Sequence, residues 1–431
     1  IEYIVEALES SYEISKTILV IGHKAEVFKD LLNDRVEYAL QTVQKGTGHA
    51  VKCALPILDD DEGNTLITCG DMPLIDEETI KGIFDFHNEN QNDITVVSTN
   101  VYTKNAYGKI IRDENGKFIK ITEHKECTPA QQLINEINTG LYCVKTKVLK
   151  ECLDKIEVTN DKECYLTDIV EVGNKLGYKI EAFNSDDSMK FTGINDLYTL
   201  SLVETYIRKE INKKHMLNGV HIITPETVII SSEVEIEPGA VIYPNTFLTG
   251  KTKICKDCVI GPNTEIDNSL ISDGTSVIHS LVKDSKIGAH TTIGPFTHIR
   301  NNASLGDNMR VGNFVEIKNS IIDDGTKISH LTYVGDTTCG KNVNWGCGTV
   351  TVNYDGKYKN RTVVGNDCFI GCNTNLIAPV TVGDNAFIAA GSTITEDVPA
   401  EAFSIARERQ VTKEDYAKRF NYYKKNSEGG K

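Results

Sequence analysis

The sequence predicts an α/β, Rossmann-like domain, then a single connecting helix, then a parallel β-helix of hexapeptide repeats. Three observations carry this architecture. Short apolar strands alternate with helical segments through the first half of the chain. One long helical period follows, and aliphatic residues then recur every six positions. The 431 residues are 40% apolar and 25% charged, an ordinary globular composition. No apolar stretch approaches the roughly 18 residues that a spanning helix requires, so no membrane span is predicted. Forty-six Lys and Arg against 61 Asp and Glu leave a net charge of −15. That balance disfavours broad binding of nucleic acid or anionic lipid but not of small anionic ligands. Twelve cysteines with no repeated spacing point to reduced thiols in a cytoplasmic protein rather than a disulfide framework.

The opening IEYIVEALES reads as an amphipathic helix with Ile1, Ile4, Val5 and Leu8 on one face. It feeds a strand at Thr17–Ile21, which is the second half of a βαβ unit, so the chain is read as truncated at its start. Further strands are expected at Thr65–Cys69, Ile94–Ser98 and Leu141–Val144, with helices at Gly48–Leu55 and Glu77–Glu89. Alternation of this kind predicts a mostly parallel sheet covered on both faces. The domain so defined is 1–195. Over 196–218, Leu200, Val203, Ile207 and Ile211 fall three or four apart, and Gly219 stands where a C-cap glycine belongs.

Over 219–408 the period is six. Ile230, Ile236, Ile242, Leu248, Ile254, Ile260 and Ile266 are in phase, and the phase resumes at Leu281, Ile287, Ile293, Ile299, Leu305, Val311 and Ile317. It returns at Ile322, Ile328 and Val334, then at Val364, Ile370, Leu376, Val382, Ile388 and Ile394. A short strand plus a tight turn has this period; three sides close a coil, and stacked coils bury an aliphatic column. The period does not fix the hand. The repeat breaks at Trp345–Thr362, around Asn353-Tyr354-Asp355-Gly356, and such an insertion is a candidate site. Residues 409–431 form a basic tail (Lys413, Lys418, Arg419, Lys424, Lys425), with 426–431 expected to be disordered.

This order of domains carries the motifs QKGTGHA (44–50), GDMPL (70–74), YGKI (107–110), EHK (123–125) and NTG (138–140) in its first half. VGNFVEIK (311–318), HLTYVGD (330–336) and NYDG (353–356) follow in the second. With them the chain resembles the bifunctional N-acetylglucosamine-1-phosphate uridyltransferase / glucosamine-1-phosphate acetyltransferase family of bacterial cell-wall precursor synthesis. The resemblance runs from Ile1 to about Gln410. It implies an α/β nucleotidyltransferase (Rossmann-like) domain, a linker helix and a left-handed parallel β-helix. It also implies a homotrimer, Mg²⁺, and two separate active sites that together make UDP-N-acetylglucosamine.

In the first implied site, N-acetylglucosamine-1-phosphate attacks the α-phosphate of UTP and releases pyrophosphate, chemistry that calls for a divalent cation with few protein ligands. Asp71 follows an apolar strand, at the carboxyl end where open α/β sheets bind ligands. The resemblance makes Asp71 and Asn195 the metal ligands. It assigns Gln41, Gly46 and Thr47 to the uridine end, and Gly70, Asp71, Gly108, Glu123, Asn138 and Asn195 to the bound sugar nucleotide. Cys69 stands where members often carry Tyr. The family's glycine-rich, Arg- and Lys-containing loop, which wraps the triphosphate, has no counterpart here, so impaired uridylyl transfer is expected.

In the second implied site, the amine of glucosamine-1-phosphate attacks the thioester carbonyl of acetyl-CoA and needs a base, usually His. The resemblance selects His330, with Glu316 to orient it. Arg300 and Lys318 lie eighteen residues apart, one coil of three hexads, so the repeat itself stacks them on adjacent turns. The resemblance places both on the sugar phosphate, together with Tyr333 and Asn344. It assigns Cys347, Asn353, Tyr354, Cys372, Ala390 and Arg407 to acetyl-CoA; Cys347 and Cys372 stand where other members carry small Ala and Ser. The pair Cys255-Lys-Asp-Cys258 has no matching second pair, which disfavours a zinc site. Two rival readings are a nucleotidyltransferase of another sugar with a passive solenoid, and a non-catalytic trimeric scaffold.

Overall fold

The computed structural model describes residues 1–420 except 12, 59–61, 104 and 157–162. Lys424, Lys425 and the segment expected to be disordered lie outside the described residues. The chain divides into two compact units, Ile1–Ile207 and Arg208–Lys431. The helix Leu197–Leu217 crosses that division, where sequence reasoning had a linker separate from both domains.

The first unit contains helices α1 (Glu2–Ser10), α2 (Ala25–Leu32), α3 (Thr47–Ala54), α4 (Glu77–Glu89), α5 (Pro129–Gln132), α6 (Thr146–Asp154) and α7 (Asp168–Leu176). Its strands are β1 (Ile18–Ile21), β2 (Glu37–Leu40), β3 (Asn64–Ile67), β4 (Ile94–Asn100), β5 (Lys109–Arg112), β6 (Phe118–Thr122), β7 (Glu136–Lys145) and β8 (Ile180–Ser185). The four expected strands and three expected helices are all present, with ends shifted by a few residues.

The sheet is not mostly parallel, as the alternation predicted. Strands β1 and β2 pair in parallel as a separate ribbon. In the six-stranded sheet only β4–β8 is parallel, because the long strand β7 runs antiparallel to β3, β4 and β5. A hairpin strand breaks the parallel rule without changing the apolar patterning, so periodicity could not show it. Both faces are covered, as expected. Along β7, Tyr142 and Val144 join one core with α6 and α7, while Leu141 and Cys143 join the other with α1 and α4.

His87, on α4, is buried, and its Nδ1 meets Thr95 Oγ1 at 2.9 Å. Burial, helped by the Lys145 ammonium and opposed by the Asp93 carboxylate, holds the imidazole down to about 4. The unfolded chain takes up this proton near 6.5, the folded chain only near 4. The resulting stabilisation is present above about pH 6.5 and is lost, by roughly 3 kcal/mol, as pH falls towards 4. His87→Gln is expected to flatten that slope. Urea unfolding of both proteins between pH 7 and 4.5 checks it; equal slopes would refute the assignment.

In the second unit the aliphatic column is the core: Ile230, Ile242, Leu248, Ile254, Ile260, Ile299, Ile317, Val334, Ile370 and Leu376 are all buried. Two-residue strands such as Glu235–Ile236, Lys253–Ile254 and Leu270–Ile271 stack in parallel into a nine-stranded sheet that forms one side. The other two sides share a nineteen-stranded sheet, because Arg310–Lys318 and Lys327–Gly335 run unbroken round the corner between them. Asn245, Asn263, Asn308, Asn342 and Asn373 take positive φ at the turns, the conformation asparagine tolerates best after glycine. This is the hexapeptide solenoid, and its three-sided parallel stacking fits the left-handed winding.

Two details of the repeat differ from expectation. Leu281 is not the inward residue; Val282 is fully buried, paired with Ile266 below and Ile299 above. Ile271 and Val277 fill the apparent gap before it, because the coils there are a residue or two shorter than eighteen. Trp345 is in register, buried and paired with Ile328 and Ile370, so the interruption is narrower than the sequence suggested. It lies between the strands Val350–Val352 and Thr362–Val364.

Candidate active sites

A cavity of about 920 Å³ in the first unit is lined by Thr47, Gly70, Glu123 and Asn138, among others. The turn before α3 forms one wall. Gly46 takes φ +102°, and a Cβ there would collide with Cys164, so only glycine fits. The turn is pinned to the segment before α7: Gly48 N donates to Cys164 O at 2.8 Å, and Leu166 N donates to Thr47 Oγ1 at 3.0 Å. Gln41 Nε2 donates to Gly46 O at 3.2 Å. These three predicted residues are therefore one assembly.

A second assembly joins Gly108, Glu123 and Asn138. Asn138 N donates to Gly108 O at 2.9 Å, and its Nδ2 donates to the buried Tyr142 hydroxyl at 2.8 Å. Glu123 Oε1 accepts from Thr167 Oγ1 at 3.0 Å, while its other oxygen lies 3.5 Å from where a Cβ on Gly108 would stand. Thr167, not anticipated from sequence, thus links this group to the Gly46–Thr47 wall.

The third assembly is Asp71 with Asn195. Ile194 N donates to Asp71 O at 3.0 Å, and Asn195 Nδ2 donates to Gly193 O at 3.4 Å, leaving the amide oxygen free to point elsewhere. Asp71's negative charge, with burial as the larger cause, pushes the Cys69 thiol and the Tyr107 phenol up. One carboxylate and one amide oxygen suit a hard, well-hydrated divalent cation. Gly193 was missed by sequence reasoning. A Cβ there would stand 2.9 Å from Asp71 Oδ2, so Gly193→Ala must displace the carboxylate. About a hundredfold loss of affinity for a divalent cation is expected by calorimetry, with little change in melting temperature.

On the solenoid, Arg300 and Lys318 are register partners on adjacent coils, as the repeat predicted. Arg300 Nε and Nη2 both donate to Glu316 Oε1, at 3.0 and 2.6 Å. Lys318 is held below its usual range, chiefly by the Lys359 ammonium beside it, with the Asp336 carboxylate opposing. Tyr333 and Asn353 complete this face: Asn353 Nδ2 reaches the Tyr333 hydroxyl at 3.4 Å and also binds Asp336. Gly335 makes room, since a Cβ there would stand 2.8 Å from Asn353 Nδ2. Three cations therefore converge beside a phenol and an amide. Lys359 was not anticipated, although the insertion's run of Lys357, Lys359 and Arg361 was a legible signal.

His330 sits at the corner just before this face, three residues ahead of Tyr333 on one strand. It is exposed and lines a cavity of about 390 Å³ with Gly312, Asn313 and Ser329. Glu316 does not orient it. The register partner of His330 is Asn313, that of Glu316 is Tyr333, and the Glu316 carboxylate is taken by Arg300. Cys347 and Cys372 follow His330 up the same corner on successive coils, as the registers Ile328↔Trp345↔Ile370 require, and Gly371 packs against Ala390 N. Arg407 is exposed, with its Cδ beside Gly391. Tyr354 is exposed on the insertion, its hydroxyl donating to Gly356 O at 2.8 Å. Asn344 stands apart: its partners Lys327 and Phe369 place it on a different side from Arg300, Lys318 and Tyr333.

Cys255 and Cys258 do not form a chelating pair. Cys258 is buried and its thiol donates to Ser272 O, whereas Cys255 faces Glu237 and Asp273. Lys253 and Lys256 already bridge those two carboxylates.

Two of these architectures match known family descriptions. Nucleotidyl transferase matches residues 1–198, and bacterial transferase hexapeptide (six repeats) matches 361–396; the GMPPB C-terminal domain matches 224–311. The chain is 46% identical over 409 residues to Bifunctional protein GlmU of Clostridioides difficile, covering 95% of this chain and 89% of that one. The chain belongs to the GlmU family. Bifunctional protein GlmU of Acholeplasma laidlawii is 49% identical over 419 residues, covering 97% and 91% of the two chains. That of Geobacillus sp. is 48% identical over 415 residues, covering 96% and 90%. As a GlmU protein the chain is a bifunctional transferase of UDP-N-acetylglucosamine synthesis, a nucleotidyltransferase joined to a hexapeptide acetyltransferase.

Proposed function

We propose that the solenoid acetylates glucosamine-1-phosphate at the cation cluster of Arg300, Lys318 and Lys359, with His330 as the general base. The convergence of those cations on the side that adjoins the His330 corner carries the reading. The cluster holds the phosphate, with the planar Arg300 guanidinium held in place by Glu316. Tyr333 and Asn353 offer a hydroxyl and an amide to the sugar. The ammonium gives its first proton to solvent. The free amine then attacks the thioester carbonyl while His330 takes a second proton from the attacking nitrogen, and the imidazolium hands that proton to the thiolate as the C–S bond breaks. Cys347, Cys372, Ala390 and Arg407 run along the acetyl-CoA corner, and Tyr354 flanks it. Lys318→Ala is expected to raise KM for glucosamine-1-phosphate about 10- to 100-fold, with kcat changed less, and Lys359→Ala to act in the same direction. Steady-state kinetics of thiol release checks both; an unchanged KM would remove the phosphate assignment.

The first unit then joins N-acetylglucosamine-1-phosphate to the uridylyl group of UTP. Gln41, Gly46 and Thr47 receive the uridine end, and Gly108, Glu123 and Asn138 the sugar. Asp71 and Asn195 would hold Mg²⁺, which supplies charge neutralisation at the α-phosphate when bound. Gly193 leaves room for the Asp71 carboxylate.

On this reading the chain works as a homotrimer in the cytoplasm. Asn344 lies on another side from the rest of the sugar cluster, so a neighbouring copy is the natural source of that contact. Stacked, exposed Phe369, Phe387 and Phe403 on the same side as Asn344 offer an apolar seam. All twelve cysteines are free, which suits a reducing compartment, and no helix among the described residues is long and apolar enough to cross a membrane.

A further inference from the structure

The corner that carries His330 also carries two thiols that neither the core nor the proton-transfer step uses. Trp345↔Ile370 and Val350↔Asn375 are register partners on either side of the turn, so Cys347 and Cys372 occupy equivalent positions on successive coils. Asn373 N donates to Cys347 O at 2.7 Å, which locks the two turns together. The coils approach closely here: a Cβ on Gly346 would stand 2.8 Å from Cys372 Cα. Neighbouring parallel strands lie about 4.8 Å apart, within the roughly 4.4–6.8 Å Cα separation that a disulfide accepts.

These thiols differ from the other cysteines of the solenoid. Cys258, Cys339 and Cys368 are buried, and burial pushes each of their thiols up. Cys255 is pushed up by burial and by the Glu237 and Asp273 carboxylates. Cys372 is exposed and Cys347 half-buried, both free. Reactivity towards a dissolved disulfide requires access, so Cys372 is the first to react and Cys347 is in place to resolve it.

We propose that Cys347 and Cys372 form a redox-active dithiol, a site for low-molecular-weight disulfides, whose closure shuts the corner to acetyl-CoA. The closure half rests on the acetyl-CoA reading above; the pairing does not. The Cys372 thiolate attacks one sulfur of the small disulfide, breaking its S–S bond and releasing one thiolate, which takes the proton Cys372 gave up. Cys347 then loses its proton and attacks Cys372 Sγ, expelling the second small thiolate, which is protonated in turn. Two protein thiols are oxidised and one small disulfide is reduced to two thiols.

Oxidised glutathione is the probe, added to the full chain, followed by alkylation, digestion and mass spectrometry. A peptide linking Cys347 to Cys372 is expected ahead of any other cysteine pair. Acetyl transfer is expected to fall at least about tenfold and to recover with dithiothreitol. Cys372→Ser, compared only with itself, is expected to form no linked peptide and to show the same rate with and without oxidised glutathione. Absence of the linked peptide while Cys372 is freely alkylated overturns the pairing. A linked peptide with an unchanged rate overturns the closure. A reduced chain that transfers no acetyl group at all overturns the functional reading instead, and leaves the peptide result to judge the pairing.

Discussion

His330→Ala is expected to lower the kcat of acetyl transfer by about 10²- to 10⁴-fold, with the KM for glucosamine-1-phosphate nearly unchanged. The imidazole lines the corner cavity together with Arg310, whereas the Arg300 and Lys318 cations proposed for the phosphate lie on the adjoining side. Removing the base therefore leaves ground-state binding in place and takes away proton transfer. Thiol release from acetyl-CoA, followed at saturating glucosamine-1-phosphate, checks it. A rate within threefold of wild type would move the base elsewhere. His330 is exposed and its ring makes no hydrogen bond among the described residues, so truncation carries little stability cost. Glu316→Gln separates two roles. If Glu316 acts through Arg300, as its 2.6 and 3.0 Å bonds indicate, the variant raises KM; if it acted on the base, it would lower kcat alone.

Asp71→Asn is expected to abolish Mg²⁺-dependent uridylyl chemistry, by about 10³-fold or more, because the proposed Asp71–Asn195 pair then offers no carboxylate to the metal. Pyrophosphate release reports the turnover, and calorimetry of UDP-N-acetylglucosamine binding with and without Mg²⁺ reports the site directly. Wild type is expected to gain affinity from Mg²⁺ and the variant to gain none. Acetyl transfer serves as the internal control, since Asp71 belongs to a different compact unit from His330. Equal Mg²⁺ enhancement in both proteins would remove Asp71 from the metal site.

The period of six was legible because a solenoid core is built from local, identical choices: each aliphatic fills the column directly above its predecessor. The same regularity placed Arg300 beside Lys318 before any coordinates. It failed at Leu281, where shortened coils shift the phase by one residue and Val282 turns inward instead. The mixed sheet of the first unit was not legible, since strand direction depends on partners distant in sequence and leaves no trace in apolar patterning. The motif residues came from resemblance, but their grouping is a tertiary fact. Gly193 beside Asp71, Thr167 on Glu123 and Lys359 beside Lys318 are each separated from their partners by 41 residues or more of sequence. Sequence by itself determined the class of each unit and the aliphatic column, because those follow from local pattern. Only the tertiary structure decided that Glu316 bonds Arg300 rather than facing His330, that Asn344 faces another side, and that Cys347 and Cys372 stand at equivalent positions on successive coils. Register between coils, set by how many residues each turn spends, determines which side chains share a surface.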